Sequence, residues 1–444
     1  MALAGMVILY TEGLDGGTVF FASREQGGTG GFPGANNVVV SQGLVWAVYC
    51  CPPGGDTAPV YKAAMSNNEG TAISLEVVSE RKQLRQFLAL PHRLYAADPV
   101  WIAPLNFMQR EKLSPANHFF EHARWRAWVA YRQGVPVGRI TAQIDEMHLQ
   151  QHGDGAGYFG MLEADDDQAV FAALFGAAED WLRSEGMQQV RGPFNLHVNE
   201  EVGLLVDGFS TPPFFLMGHA FPRYGPAVEA QGYRGVKDLL AYHVRPDFEA
   251  PRVMTRLVER VSGRVIVRSV RRKALDEDAA IMREIFNDAW QNNWGFVPLA
   301  AAEWADTVKT LTKLMPDDYI QIAEYDGEPV AFMVALPNLN EAARDLKGKL
   351  LPFGWLKLIW RLKVRHPQTA RVALMGVKQS FQHSRLGSTL AFMVTDAVRK
   401  ALHARGVKDV EMSWILEDND GMRNIIETVG GQAYKRYRVY QKEL

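Results

Sequence analysis

Val377-Lys378-Gln379-Ser380-Phe381-Gln382-His383-Ser384-Arg385-Leu386-Gly387-Ser388-Thr389-Leu390 is the stretch that decides how the chain is read. The residues before it, Arg371 to Val377, read as a strand. Those from Gly387 to His403 carry apolar positions at helical spacing. A strand that passes through a polar turn into a long helix aims free backbone N–H groups at whatever lies over the turn, and an anionic phosphate suits that place. Gly387 lets a ligand approach the backbone, and Arg385 adds charge. An ordinary helix start behind a solvated basic loop has the same local look, so the surrounding pattern must decide.

That pattern is a repeat. Gly134-Val135-Pro136-Val137-Gly138 returns as Gly327-Glu328-Pro329-Val330-Ala331. Leu182, Gly186 and Val190 return at the same spacing as Leu402, Gly406 and Val410. Glu229, Gly232, Lys237 and Tyr242 return as Glu427, Gly430, Lys435 and Tyr440. The copies lie roughly two hundred residues apart, so the repeating unit is a domain rather than a solenoid turn. Counting back from Leu182 as from Leu402 sets Gly387 against Asp167, in the turn Glu163-Ala164-Asp165-Asp166-Asp167. Acid there would repel a pyrophosphate. It also suits a helix N-terminus for plain stability.

The chain has 444 residues, 47% of them hydrophobic, and a formal net charge of -2. Two or three folded domains are expected, with no global electrostatic case for nucleic acid. No run reaches membrane-spanning length. The N-terminus lacks a basic-then-apolar signal pattern, so the cytoplasm is the expected compartment. The only cysteines are Cys50 and Cys51, which leaves none in the body for a nucleophile, a disulfide or a metal site. No metal is expected. Residues 1–70 are rich in glycine pairs without sustained periodicity and read as a poorly ordered extension.

From Ile73 each half reads as a strand, a helix, an antiparallel meander and then β-α-β-α-β. The fold class is therefore α/β with a mixed sheet. Boundaries fall at 71–245 for the first domain and 246–444 for the second, which carries an insert at 340–368.

The turn resembles the acyl-CoA signature of the GNAT acyltransferases, Gln/Arg-x-x-Gly-x-Gly/Ala. Gln382 and Gly387 match, whereas Arg385 replaces the middle glycine. Asn419, Met422 and Gly430 match the Asn-x-x-Ala helix and closing glycine of that fold. Ile426 stands where a general-acid Tyr is usual. The resemblance implies two tandem GNAT-like domains, the first degenerate. It implies acyl-CoA as co-substrate, held by Val377, Gln382, Arg385, Gly387, Ser388 and Asn419, with no permanently bound cofactor.

Two polar-aromatic stretches are candidates for the acceptor side. One runs from Arg191 to Glu201 and holds Asn195, His197 and Asn199; the other, Trp290 to Phe296, holds Asn293 and Trp294. Core packing and turn formation are the plain alternatives for both. Amide formation needs a group to take the amine proton. Glu417 is the first candidate and Asp418 the second, and either could instead cap the next helix. Tyr437 or Tyr434 could protonate the leaving thiolate in place of the missing Tyr.

The insert Leu346 to Arg365 puts Leu351, Trp355, Leu358, Ile359 and Leu362 on one helical face, with Lys357, Arg361 and Lys363 elsewhere. Such a stretch suits a helix lying in the interface of an anionic membrane, a lid over an acyl chain, or a helix packed on its neighbour. Asn293-Trp294-Gly295-Phe296, Leu351-Pro352-Phe353-Gly354 and Ser413-Trp414-Ile415-Leu416-Glu417-Asp418-Asn419 together resemble proteins proposed as bacterial ceramide synthases. This implies acylation of a sphingoid base by a fatty acyl-CoA or carrier-protein thioester, in the cytoplasm at the inner membrane. A small-molecule or aminoacyl N-acyltransferase and a non-catalytic acyl-CoA-binding scaffold are the other readings.

Overall fold

Each repeated motif marks a place where the backbone must do something most residues resist. Gln133 and Gly134 have φ of 51° and 75°, and Asp326 and Gly327 have 51° and 88°. Positive φ at both central residues is the type I′ turn, whose twist matches the two strands of a hairpin. The Leu-x-x-x-Gly motif ends a helix. Gly186 and Gly406 adopt φ of 85° and 76°. The next amides, Met187 and Val407, donate back to the carbonyls of Leu182 and Leu402 at 3.0 and 3.2 Å. That closure satisfies carbonyls the helix would leave free.

The computed structural model describes residues 72–249 and 252–444; before residue 72 it gives only the backbone of five short strands between Val7 and Lys62. The expectation of a poorly ordered extension over 1–70 lies outside the described residues. The chain forms two compact units, one of residues 1–94, 126–141 and 162–181, the other of the remainder. In the described part of the first, strand Ile73–Val77 pairs antiparallel with residues 128–132. Helix Gln168–Ser184 packs so closely on strand Val135–Asp145 that a Cβ at Gly138 would lie 2.6 Å from Val170.

The second unit is built on a mixed sheet. Its strands run Val265–Ser269, Ile320–Tyr325, Glu328–Pro337, Thr369–Val377, Asp409–Leu416, Arg234–Val244, Gln432–Glu443 and Gln189–Gly192. This order contains an exchange. The last strand of the first repeat, Arg234–Val244, lies between two strands of the second and pairs with both. The last strand of the second, Gln432–Glu443, reaches Gln189–Gly192 of the first. The repeated Glu and Tyr residues report the same exchange. Tyr242 donates to Glu427 at 3.0 Å, and Tyr440 donates to Glu229 at 3.2 Å. Each tyrosine uses the other repeat's glutamate. Ile285, Phe286, Phe332, Val334, Leu390 and Val394 belong to the core beside this sheet.

The insert divides its apolar face. The helix spans Gly354–Trp360 and continues as a wider π-type turn over Arg361–Arg365. Leu358 and Leu362 are buried in the core, while Leu351 and Phe353 are 82% and 73% exposed, and Trp355, Leu356, Ile359, Trp360 and Val364 are exposed beside them. Lys357 and Arg361 pair with Asp345. Arg361 first, then Lys357, holds that carboxyl well below the usual range.

Candidate active site

Strands Thr369–Val377 and Asp409–Leu416 run parallel and pair from Thr369/Asp409 to Val372/Met412. Beyond that rung they no longer pair, and the register against Glu328–Pro337 slips at residue 373. Parted parallel strands leave an opening flanked by backbone groups, and the deciding turn stands at its end. Gln382 donates to the carbonyls of Val377 and Ala289 at 2.8 and 3.2 Å, which fixes the turn to its own strand. Ser384 caps helix Arg385–Ala404 by accepting from the Gly387 amide at 2.9 Å. A Cβ at Gly387 would lie 2.1 Å from the Phe381 carbonyl, so the turn itself requires glycine. Arg385 and Ser388 are exposed in the first turn of this helix. Asn419 caps helix Asp420–Thr428 through the Met422 amide at 3.1 Å, and Ile426 is buried.

Glu417 is exposed and accepts from the Asp238 amide at 3.0 Å. Asp418, also exposed, pairs with Lys237 at 2.8 Å. Tyr437 is fully buried and donates to the Gly218 carbonyl at 3.3 Å.

The two acceptor candidates meet. Asn199 donates to the Val297 carbonyl at 3.4 Å, and Gly295 faces Val198. Asn195 accepts from the Met161 amide at 2.7 Å and donates to Glu201 at 2.8 Å. Asn293 and Trp294 are half-buried in the same segment. His197 is buried, 3.6 Å from Asp145, which also bonds His122 at 3.0 Å; Glu303 stands 3.9 Å from His122. The Asp145 bond, and then Glu303, lift His122 to about 9. Lys112 pairs with Glu200 and Glu201. Burial opposes its charge, yet the two glutamates raise it to about 12.

A second buried polar cluster lies at the point where the strands part, and most of it was missed in the sequence. Arg371 donates to Ser413 Oγ at 2.9 Å, to the Ser413 carbonyl at 3.2 Å, and to the carbonyls of Phe215 and Leu216 at 3.2 and 3.3 Å. Its guanidinium lies over the Trp414 ring at 4.7 Å. Glu411 accepts from Ser413 Oγ at 2.7 Å and from the Tyr434 hydroxyl. Burial, and then Glu411, push Tyr434 far above the ordinary phenol range. Lys435 donates to the Thr211 and Pro212 carbonyls and is brought down to about 8 by burial. Residues 208–221 thus form a strap tied to this face of the sheet. A charged residue inside the apolar run Val410–Trp414 was the available signal, since buried acids are rare unless paired.

No family model matches the chain. Protein YghO of Escherichia coli strain K12 is 46% identical over 387 residues, covering 87% of this chain and 99% of its own. The bacterial ceramide synthase of Caulobacter vibrioides is 47% identical over 375 residues, covering 84% and 98%. Among solved structures, the GCN5-related glucosamine N-acetyltransferase region of a fungal multidomain GH3 β-N-acetylglucosaminidase matches with a TM-score of 0.51 at 16% identity. That match covers 87% of this chain and 40% of the fungal one, and it bears on the fold alone. The mixed sheet with its parted strands has the GNAT fold, and kinship with the ceramide synthase supports an acyltransferase of that type. The chain belongs to the family that contains the Caulobacter ceramide synthase and YghO.

Proposed function

We propose that the protein transfers a long-chain acyl group from acyl-CoA to the amine of a sphingoid base, at the surface of an anionic membrane facing the cytoplasm. Kinship with the ceramide synthase over 84% of the chain carries the reading. Residues 246–444 hold the CoA thioester at the Gln382–Gly387 turn, and residues 71–245 are the degenerate partner domain that supplies Asn195, His197 and Asn199. No helix among the described residues is long and apolar enough to cross a membrane. On this reading the lipid acceptor is met at the bilayer surface. The exposed Leu351, Phe353, Trp355, Ile359 and Trp360, with Lys347, Lys349 and Lys363 close in sequence, suit that contact. The insert also reaches the site, because Leu362 and Phe215 line one small apolar pocket with Leu336 and Leu339, and the Phe215 carbonyl binds Arg371. Burying each methylene of a donor chain is worth about 0.8 kcal/mol, so an apolar cover beside the donor site favours long chains.

The test is acylation of sphinganine in anionic vesicles by palmitoyl-CoA, followed by mass spectrometry. Replacing Trp355 and Trp360 together with Ser should lower vesicle binding and lipid acylation in step. A protein that ignores vesicles and acylates only soluble amines is a small-molecule N-acyltransferase instead.

A further inference from the structure

Glu411 is fully buried, one residue before the last rung that joins its strand to Thr369–Val377. A carboxylate in such a place is costly unless its lone pairs are taken up. The nearest cation does not take them up. Arg371 Nε stands 3.8 Å from Glu411 Oε1, and the guanidinium hydrogen bonds go to Ser413, Phe215 and Leu216. What Glu411 holds is two hydroxyls, Ser413 on Oε1 and Tyr434 on Oε2. A carboxylate bonded by neutral donors, beside a guanidinium already engaged elsewhere, is placed to receive a proton.

Tyr434 is half-buried, whereas the carboxylate it bonds is fully buried. His243 packs on it at 4.3 Å between ring centroids. Three groups adjoining the cluster lack partners: His243 Nε2, Thr211 Oγ1 and Trp414 Nε1. Each belongs to a residue that touches a member of the cluster, since His243 packs on Tyr434, the Thr211 carbonyl binds Lys435, and Trp414 lies under Arg371. Buried polar atoms are nearly always bonded, so three orphans at the margin of one cluster are consistent with a polar group that completes it.

We propose that Tyr434 and Glu411 form the proton relay of acyl transfer, a role that rests on the acyltransferase reading but not on the identity of the amine. The acceptor nitrogen attacks the thioester carbonyl carbon, a C–N bond forms, and the carbonyl π electrons move to oxygen. The nitrogen passes a proton to Tyr434 Oη as Tyr434 passes its own to Glu411 Oε2. When the carbonyl re-forms, the C–S bond breaks and sulfur leaves with the electron pair. The proton then returns from Glu411 through Tyr434 to that sulfur. The products are an amide and the free thiol of CoA, and both side chains end as they began. Tyr434 touches the amine, and Glu411 acts through it. Ile426, where this fold usually carries a tyrosine, needs no substitute if one hydroxyl serves both directions. The base is accordingly Glu411 rather than Glu417, whose carboxylate is bound to the Asp238 amide.

The experiment uses the full chain with palmitoyl-CoA and a panel of primary amines, sphinganine in vesicles and soluble amines alike. Kinetics are followed on whichever amine the parent acylates fastest. Tyr434→Phe and Glu411→Gln should each lower kcat by about 10²–10⁴-fold, with the KM for palmitoyl-CoA unchanged. Their rates should climb with hydroxide across the alkaline range, where the parent levels off. The groups facing Glu411 are Arg371, His243, Tyr434, Lys435 and Tyr437, with Glu201 beyond, and all but Tyr434 remain in Tyr434→Phe. That variant removes one hydroxyl from a half-buried ring, so it keeps the test decisive even where Glu411→Gln unfolds. Parental kcat and pH profile in Tyr434→Phe overturn the relay. A fall in kcat with a matching rise in KM and an unaltered pH profile also overturns it, since that is the signature of a purely structural cluster. Loss of rate on soluble amines, with sphinganine ignored by the parent, leaves the relay standing and removes the lipid acceptor.

Discussion

The two repeats place a turn and a helix at the same point and use them in opposite ways. Helix Gln168–Ser184 has 17 residues and helix Arg385–Ala404 has 20. Their C-terminal ends keep the spacing of Leu182 and Leu402, so the extra length lies at the N-terminus, at Arg385, Leu386 and Gly387. In the first repeat Asp167 fills that end, accepting from the Ala169 amide at 2.8 Å and pairing with Arg132. Asp165 takes Arg93 at 3.2 Å. In the second repeat Ser384, a neutral cap, stands there. The parallel strands differ likewise. Beside strand Gln189–Gly192, the Phe194 amide still reaches the Phe159 carbonyl at 2.8 Å, and a Cβ at Gly192 would lie 2.4 Å from that oxygen. Beyond Val372 and Met412 the second repeat makes no such closure. One copy has an acidic cap on its helix and closed strand edges, and the other has a neutral cap and parted strands.

The largest effect should come from giving the second turn the character of the first. In Gly387→Glu the new Cβ meets the Phe381 carbonyl, the turn must move, and a carboxylate arrives where a pyrophosphate would sit. Acyl-CoA affinity should fall by at least ~100-fold, about 2.8 kcal/mol. Asp167→Ala should leave acyl-CoA binding as it was and cost about 1 kcal/mol of stability through the lost cap. Isothermal calorimetry that finds two CoA sites, or parental binding in Gly387→Glu, removes the division of labour between the repeats.

Much of this contrast was legible because it is local. The type I′ glycines, the helix-closing glycines and the acid turn are short-range features, and each motif has a backbone reason visible in sequence. The exchange of closing strands was not legible. Glu229 and Tyr242 share a motif, yet their hydrogen bonds cross to Tyr440 and Glu427, and spacing within one copy cannot say which copy supplies the partner. The cluster at Glu411 escaped for a related reason. Its members come from strands Thr369–Val377, Asp409–Leu416, Arg234–Val244 and Gln432–Glu443 and from the strap, which only the sheet brings together. The insert was half legible: helical periodicity found its apolar residues but could not separate buried Leu358 and Leu362 from exposed Leu351 and Ile359.

The exchange itself can be tested by loss of single hydroxyls. Tyr242→Phe and Tyr440→Phe each remove one hydrogen bond to a carboxylate of the other repeat. Each should lower unfolding free energy by about 1.5–3 kcal/mol, the range for bonds to charged groups. The pairs share no residue, so the double variant should show the sum. Tyr242 also meets Arg423 at 3.2 Å, so its variant should be the more costly of the two. Urea denaturation in which both variants match the parent would mean that the exchanged strands are held by their ladders alone.

The smallest effect concerns the acceptor side, where residues from both repeats meet through charge. His122 lies between Asp145 and Glu303, and Glu303 sits in the first turn of helix Ala301–Leu314. The Asp145 bond and Glu303 raise His122 from 6.5 to about 9, and both carboxyls are held below their ordinary values despite burial. Buried His197 faces the same Asp145. A histidine whose pKa is raised by folding binds its proton more tightly in the native state. Its contribution is therefore complete below about 6.5 and is lost as pH climbs through about 9. His122→Asn should lower Tm by on the order of a few degrees in mildly acidic buffer, and the gap to the parent should narrow on moving to alkaline pH. Measuring the gap rather than either Tm cancels the opposing titration of Lys435, brought down to about 8, which both proteins share. A gap that stays constant from acid to alkali would place a neutral His122 in the native protein, and would leave helix Ala301–Leu314 held by packing around Trp304 and Val308 instead.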